Sequence, residues 1–255
     1  MRGFFMTLGV VVAAAFPAAA QTTKPGPQAA AESKEKAQVP TTQPAAVRPE
    51  FHEGTEARFQ RMNELSKEGK AKLVFIGDSI TEGWEGAGKK AWSEHFEKHA
   101  AANFGISGDR TEHVLWRLDH GNLDGLKPKL VVMMIGTNNT GHRQDTSEDT
   151  AAGVKAIVEK VQAKCPDAKI LLLAIFPRGE KADDPLRKLN DGANAIIKKL
   201  ADDKKVFYKD IGAEFVEKDG MLKREIMPDL LHLNAKGYAA WAAAIKDDVE
   251  KLMRD

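Results

Sequence analysis

The chain has 255 residues, and its 38 Lys and Arg are balanced by 37 Asp and Glu, for a formal charge of +1. Charges of both signs are interspersed, which excludes the basic patch that nucleic-acid binding needs. The length suits one α/β domain with an additional tail, and the single cysteine, Cys165, excludes an internal disulfide and any multi-cysteine metal site.

Residues 1–20 have the form of a secretory signal. Arg2 supplies a positive start, an apolar run follows to Phe16, and Ala18-Ala19-Ala20 fits the small-residue cleavage rule. Pro17 interrupts the run, which is also short for a membrane anchor. No cysteine lies near the cleavage point, which argues against a lipid anchor. The expectation is a secreted or periplasmic protein with no stable membrane insertion after cleavage. Residues 21–50 are rich in Ala, Pro, Thr, Gln and Lys with almost no large apolar side chains. Such a stretch cannot offset its ordering entropy, so a disordered linker is expected.

From residue 51 to 255 the pattern is that of a folded domain. Residues 53–69 read as a charged amphipathic helix ending at Gly69. Strands are expected at 72–76, 101–104, 130–135, 170–175 and 206–209, and helices at 91–99, 111–119, 147–164, 185–201 and 235–253. Alternating helices and continuously apolar strands predict a three-layer α/β/α domain around a five-stranded, mostly parallel sheet. Right-handed crossovers then bring all strand C-terminal ends to one edge, where such sheets bind ligands.

The stretches that follow the strands carry the chemistry. The first strand, Leu73-Val74-Phe75-Ile76, runs into Gly77-Asp78-Ser79, and Gly77 permits a tight turn. Ser79 reads either as a helix N-cap or as a nucleophile presented above the sheet. The second strand leads to Gly108, the third to Gly136-Thr137-Asn138-Asn139, the fourth to Pro177-Arg178-Gly179-Glu180, and the run Pro228-Asp229-Leu230-Leu231-His232 precedes the last helix.

Acyl transfer by a serine needs a base, a carboxylate that fixes the base's tautomer, and N–H donors for the oxyanion. His232 and Asp229, three residues apart, can face one another. Gly108 offers an unobstructed backbone N–H, and Asn138 a side-chain amide. Taken singly, each has a plainer reading: a capping pair, a turn glycine, turn asparagines. All of these coincidences on one sheet edge favour the catalytic reading.

These residues resemble the four blocks of the GDSL, or SGNH-hydrolase, superfamily of serine esterases, with Ser79, Gly108, Asn138 and His232 in order and Asp229 three before the histidine. The runs Asn103-Phe104-Gly105-Ile106, His113-Val114-Leu115-Trp116-Arg117-Leu118 and Pro177-Arg178-Gly179-Glu180-Lys181 are similar to the branch formed by the catalytic subunits of type I platelet-activating-factor acetylhydrolase. Ser107, where that branch usually has glycine, and the signal-like start depart from it, since that enzyme is cytosolic. The resemblance implies the flavodoxin-like SGNH-hydrolase fold. It implies Ser79 as nucleophile, His232 as general base and then acid, and Asp229 as its orienting carboxylate. Ser79, Gly108 and Asn138 would form the oxyanion hole, and Ile80, Thr137 and Leu231 would close a short acyl pocket. Asp78 is expected to support the turn, and Arg178 and Glu180 to form a structural ion pair. Thr81 stands where a Gly-x-Ser-x-Gly elbow has its second glycine.

The expected activity is hydrolysis of short-chain esters, acetyl above all, through an acyl-enzyme, on a small-molecule or carbohydrate ester such as O-acetylated polysaccharide. A lysophospholipase or thioesterase is the alternative, and a non-catalytic binding module on the same fold is the rival from another class. No cofactor is expected, and no metal, because no His, Asp or Glu spacing reads as a metal site. No nucleic-acid partner is expected, and a homodimer stays open. Trp84, Trp92, Trp116 and Trp241 read as core before ligand platforms, although Trp84 lies close behind Ser79 and a site-lining role is its second reading.

Overall fold

The computed structural model describes residues 43–254. The signal-like segment and most of the expected linker lie outside the described residues. The remainder of that linker, 43–50, is part of the fold. A 3-10 turn at Ala45–Val47 buries Ala46, whose carbonyl accepts from Thr111 Oγ1 at 2.8 Å, and Glu50 N donates to Glu112 O at 3.2 Å. Small residues let the backbone itself dock, which an expectation based on apolar content misses.

Five parallel strands form one sheet in the order β2-β1-β3-β4-β5: β1 (Leu73–Gly77), β2 (Ala101–Gly105), β3 (Leu130–Met134), β4 (Lys169–Leu173) and β5 (Val206–Lys209). Alternate strand residues feed two cores. Val74, Ile76, Val131 and Met133 pack under α1 (Glu56–Glu68), α4 (Thr111–Asp119), α5 (Ser147–Lys164) and α6 (Pro185–Ile197). Leu73, Phe75, Leu130 and Val132 face the other way, under α2 (Ser79–Glu82), α3 (Lys89–His95) and α7 (Ala235–Arg254). The α/β/α expectation holds, and every strand pair is parallel. Among the described residues no helix is long and apolar enough to cross a membrane.

With all strands parallel, their C-terminal ends share one edge. Arg117 on α4 stitches that edge together. Its buried guanidinium donates to Phe104 O at 2.7 Å, Gly77 O at 3.3 Å and Asp109 Oδ2 at 2.9 Å. One side chain therefore fixes the ends of β1 and β2 and the loop that carries Gly108.

Candidate active site

Glycine is required at 77 because of close approach. A Cβ there would run into Thr81 Oγ1 and the carbonyl of Met134, and its φ is not positive. Asp78 caps the short helix α2, its Oδ1 accepting from Ile80 N at 3.0 Å. This corrects the capping reading of Ser79, which is the first helical residue, and it confirms Asp78 as a support of the turn. Freed from capping, the Ser79 hydroxyl donates to His232 Nε2 at 3.0 Å.

His232 sits on the turn before α7, whose first turn is capped by Asn234 Oδ1 accepting from Lys236 N and Gly237 N. Asp229 organises the turn. Its Oδ1 accepts from Leu231 N at 3.0 Å and His232 N at 2.7 Å, while Oδ2 lies 2.6 Å from His232 Nδ1. Leu230, between them, is held at φ +64°, a conformation that costs a non-glycine residue free energy. Burial pushes the Asp229 carboxyl up, but these bonds from His232 and Leu231 outweigh it and hold the group below the usual carboxylate range. An ionised Asp229 requires the proton on Nδ1 of a neutral His232, which leaves the Nε2 lone pair for Ser79. Tyr238 on α7 locks the two halves together, its hydroxyl donating to Ile80 O at 2.7 Å.

The loops after β2 and β3, the strands on either side of β1, carry the other two candidates and are bonded to each other. Gly108 is at φ +80°, a left-handed conformation suited to glycine. Asn138 is buried, and its amide donates to Asp109 O at 2.9 Å, which settles which end of the amide is the donor and leaves a second N–H. Asn139 opens a π-helical turn, Asn139–Arg143, and has a different environment. Its Oδ1 accepts from Thr111 N at 3.0 Å and its Nδ2 donates to Thr111 Oγ1 at 2.9 Å and Asp145 Oδ2 at 3.1 Å.

Of the pocket candidates, Ile80 and Thr137 are buried and Leu231 is half-buried against the core of α7. Thr137 receives Arg178, whose Nη1 donates to Thr137 O at 2.7 Å and Oγ1 at 3.1 Å. The expected Arg178–Glu180 pair is therefore wrong. Glu180 binds Arg224 at 3.0 Å on the surface, while Arg178 turns inward over Gly141, where no side chain stands in its way. Trp84 is core rather than lining, packed on Tyr238 and Trp241.

Folding also assembles a cluster that residue spacing did not reveal. Donor atoms of His52, Asp109 and His113 lie within 4.8 Å of one another. Most of their polar atoms are bonded to protein groups: Asp109 Oδ2 accepts from Arg117, Asp109 Oδ1 is 2.9 Å from His52 Nδ1, and His113 Nδ1 accepts from Arg110 N at 3.1 Å, which leaves His52 Nε2 as the exception. With two guanidinium groups in contact, this is a hydrogen-bonded network and a poor cage for a cation. His52 and His113 are 57 and 4 residues from Asp109, and only the fold relates the first of these separations.

A family model for GDSL-like lipases and acylhydrolases matches residues 75–240. The chain is 39% identical over 189 residues to platelet-activating factor acetylhydrolase IB subunit alpha1 of Pongo abelii, covering 74% of this chain and 79% of that one. It is 38% identical over 193 residues to the alpha2 subunit of Rattus norvegicus, covering 74% and 80%. A crystal structure of a GDSL-like lipase from Bacteroides thetaiotaomicron superimposes with a TM-score of 0.58 at 25% identity, covering 76% of this chain and 98% of that one.

Proposed function

The chain belongs to the GDSL-like lipase/acylhydrolase family and is a carboxylic ester hydrolase, and from that premise we propose that it removes acetyl groups by a two-step acyl-enzyme route centred on Ser79. The observation that carries this reading is the continuous line Ser79 Oγ, His232 Nε2, His232 Nδ1, Asp229 Oδ2, with links of 3.0 and 2.6 Å. His232 takes the Ser79 proton as the oxygen attacks the ester carbonyl. It then gives that proton to the leaving alcohol, and water repeats the cycle on the acyl-enzyme. Asp229 stabilises the imidazolium that forms in between. The Ser79 and Gly108 N–H groups and the second Asn138 N–H receive the oxyanion.

Three features support a short acyl group and a hydrophilic alcohol. Ile80 and Thr137 are already packed, leaving little room for a long chain. The named relatives are acetylhydrolases. The open space beside Gly108 is lined by charged and imidazole side chains together with the ring of Phe51. An O-acetylated carbohydrate fits these better than a lysophospholipid. A fluorophosphonate probe, which labels only activated serines, tests the assignment. Labelling at Ser79, lost in Ser79→Ala, together with release of acetate from acetylated sugars, is expected. Labelling elsewhere, or none, would overturn it.

The first 20 residues support export, so that the esters met are those outside the cytoplasm. Sequencing the N-terminus of the mature protein tests this. An intact Met1 would contradict it.

A further inference from the structure

The oxyanion loop borders an open cleft of about 530 Å³, lined by Gly108, His52, Arg110, His142, Glu50 and Glu53 among others. A methyl group cannot account for a space of that size, which lies within the range of small-molecule sites. Around the ring of Phe51 its lining mixes donors and acceptors and carries both charges, which suits a polyhydroxylated ligand with an apolar ring face better than a plain alkyl chain or a single anion. His52 occupies a particular place in it. Its ring lies so close to Gly108 that a Cβ there would sit 3.0 Å from Cε1 and 3.5 Å from Nε2. The ring is held in a fixed plane by stacking on His113, with centroids 4.3 Å apart at 18°.

The tautomer follows from its partner. Asp109 is buried and ion-paired with Arg117 through Oδ2, so its Oδ1, at 2.9 Å, accepts from His52 Nδ1. The proton is then on Nδ1, and the Nε2 of a neutral His52 is a bare acceptor, without a protein hydrogen-bond partner among the described residues. This is the same carboxylate-to-Nδ1 arrangement as in Asp229 and His232, repeated beside Gly108 without a serine. We propose that the cleft is the subsite for a carbohydrate alcohol and that His52 Nε2 accepts a hydrogen bond from a free hydroxyl next to the acetylated position. This assignment rests on the Ser79 acetylesterase reading and deepens it: the site selects a partly acetylated sugar with a free neighbouring hydroxyl over a fully substituted one or a lipid ester.

The test compares kcat/KM for a mono-acetylated methyl xyloside with analogues that lack the hydroxyl on either side of the ester. The wild-type protein is expected to prefer the hydroxylated substrate over at least one analogue by about five- to tenfold, the value of one net hydrogen bond. In His52→Phe, which retains a ring against Gly108 but offers no acceptor, that preference should fall to within about twofold. A merely structural role for His52 would slow all substrates and leave their ratio unchanged. Equal rates for all substrates in the wild type, or a preference that survives in His52→Phe, overturns the assignment. Should His52→Phe fail to fold, the ¹⁵N shift of His52 Nε2 in the wild-type protein reads the same bond. It must move on addition of unacetylated methyl xyloside, and an unmoved signal overturns the assignment equally. p-Nitrophenyl acetate separates the two levels. A wild-type protein that leaves it intact overturns the esterase reading itself, whereas one that cleaves it through Ser79 yet ignores the hydroxyl overturns only the role of His52.

Discussion

The side-chain amide of Asn138 donates to the backbone carbonyl of Asp109 across 2.9 Å, joining the end of β3 to the residue that follows Gly108. One N–H is used as an anchor and the other is left for chemistry, so two of the proposed oxyanion donors are held as a unit. Such donors act on charge that develops in the transition state. Asn138→Ala should therefore lower kcat about 10²–10³-fold with little change in KM. Asn139→Ala should behave differently, because Asn139 is buried and bonded to Thr111 and Asp145. Leaving those groups unpaired costs about 1–3 kcal/mol of stability, with kcat per folded molecule close to wild type. Steady-state kinetics and thermal melts on both variants separate the two, and equal kcat losses would remove Asn138 from the oxyanion hole.

Ser79→Ala should abolish turnover, by analogy with subtilisin by on the order of a million-fold in kcat, while leaving the fold alone. Its hydroxyl makes its hydrogen bond to His232, and the cap of α2 belongs to Asp78. Acetate release and a thermal melt measure both quantities. More than a tenth of the activity remaining would mean that another residue is the nucleophile.

Helices α4 and α5 were legible at their observed bounds, because their apolar period and the residues that start and end them agree. The loops were legible only in part. Ser79, Gly108, Asn138, Asp229 and His232 could be picked out because each follows a strand or precedes a helix, and topology brings such positions together. What a side chain grips was not legible. Arg178 and Glu180 are two apart and opposite in charge, yet one bonds the backbone and hydroxyl of Thr137 and the other bonds Arg224. The Arg117 and Asp109 pair spans eight residues and His52 lies 57 residues from Asp109, separations for which no local spacing rule codes. The assignment of residues 43–50 to a linker failed for a related reason. Ala46 docks through its carbonyl, and an alanine carries no amphipathic signal.

The Asp78 carboxyl predicts an unusual stability profile. It is fully buried, Oδ1 is capped by Ile80 N, and Oδ2 has no hydrogen-bond partner. Burial is the main cause that pushes it up to about 7, and neighbouring Asp109 adds to the rise, against the lowering effects of the Ile80 N–H and His232. An unfolded aspartate titrates near 3.9. The folded state thus binds this proton more tightly, and its contribution is complete below about pH 4, then lost as pH rises through about 7. The difference of about three units amounts to up to about 4 kcal/mol. Burial moves His113 in the opposite direction, to about 4, which costs stability in acid, so the comparison must be with Asp78→Asn, in which His113 is unchanged. Between pH 5 and pH 8 the wild-type Tm should fall relative to that variant. Parallel curves would show that Asp78 is ionised throughout.

The acyl pocket gives the last prediction. Ile80 is 1% exposed and Thr137 2% exposed, and Arg178 holds Thr137 from behind. In the proposed site these two packed side chains stand next in sequence to Ser79 and Asn138 and would close the space for the acyl group. A longer chain must displace packed atoms, and overpacking costs about 1–3 kcal/mol, or roughly five- to more than a hundredfold in kcat/KM at 1.4 kcal/mol per decade. Acetyl esters should therefore outpace octanoyl esters by that margin. Leu231 is the informative position to cut back, because it is half-buried at the rim of the α7 core. Leu231→Ala should raise activity on butyryl and longer esters relative to acetyl with little loss of stability. Ile80→Ala opens the same wall but leaves a hole in the core under Tyr238, so it should also cost about 2–5 kcal/mol. The measurement is kcat/KM over a series of p-nitrophenyl esters for wild type and both variants, with a thermal melt for each. A wild-type optimum at about eight carbons or more would overturn the short pocket and favour a lipase-like enzyme, because a chain of that length could bind only if Ile80, Thr137 and Leu231 lined an open groove.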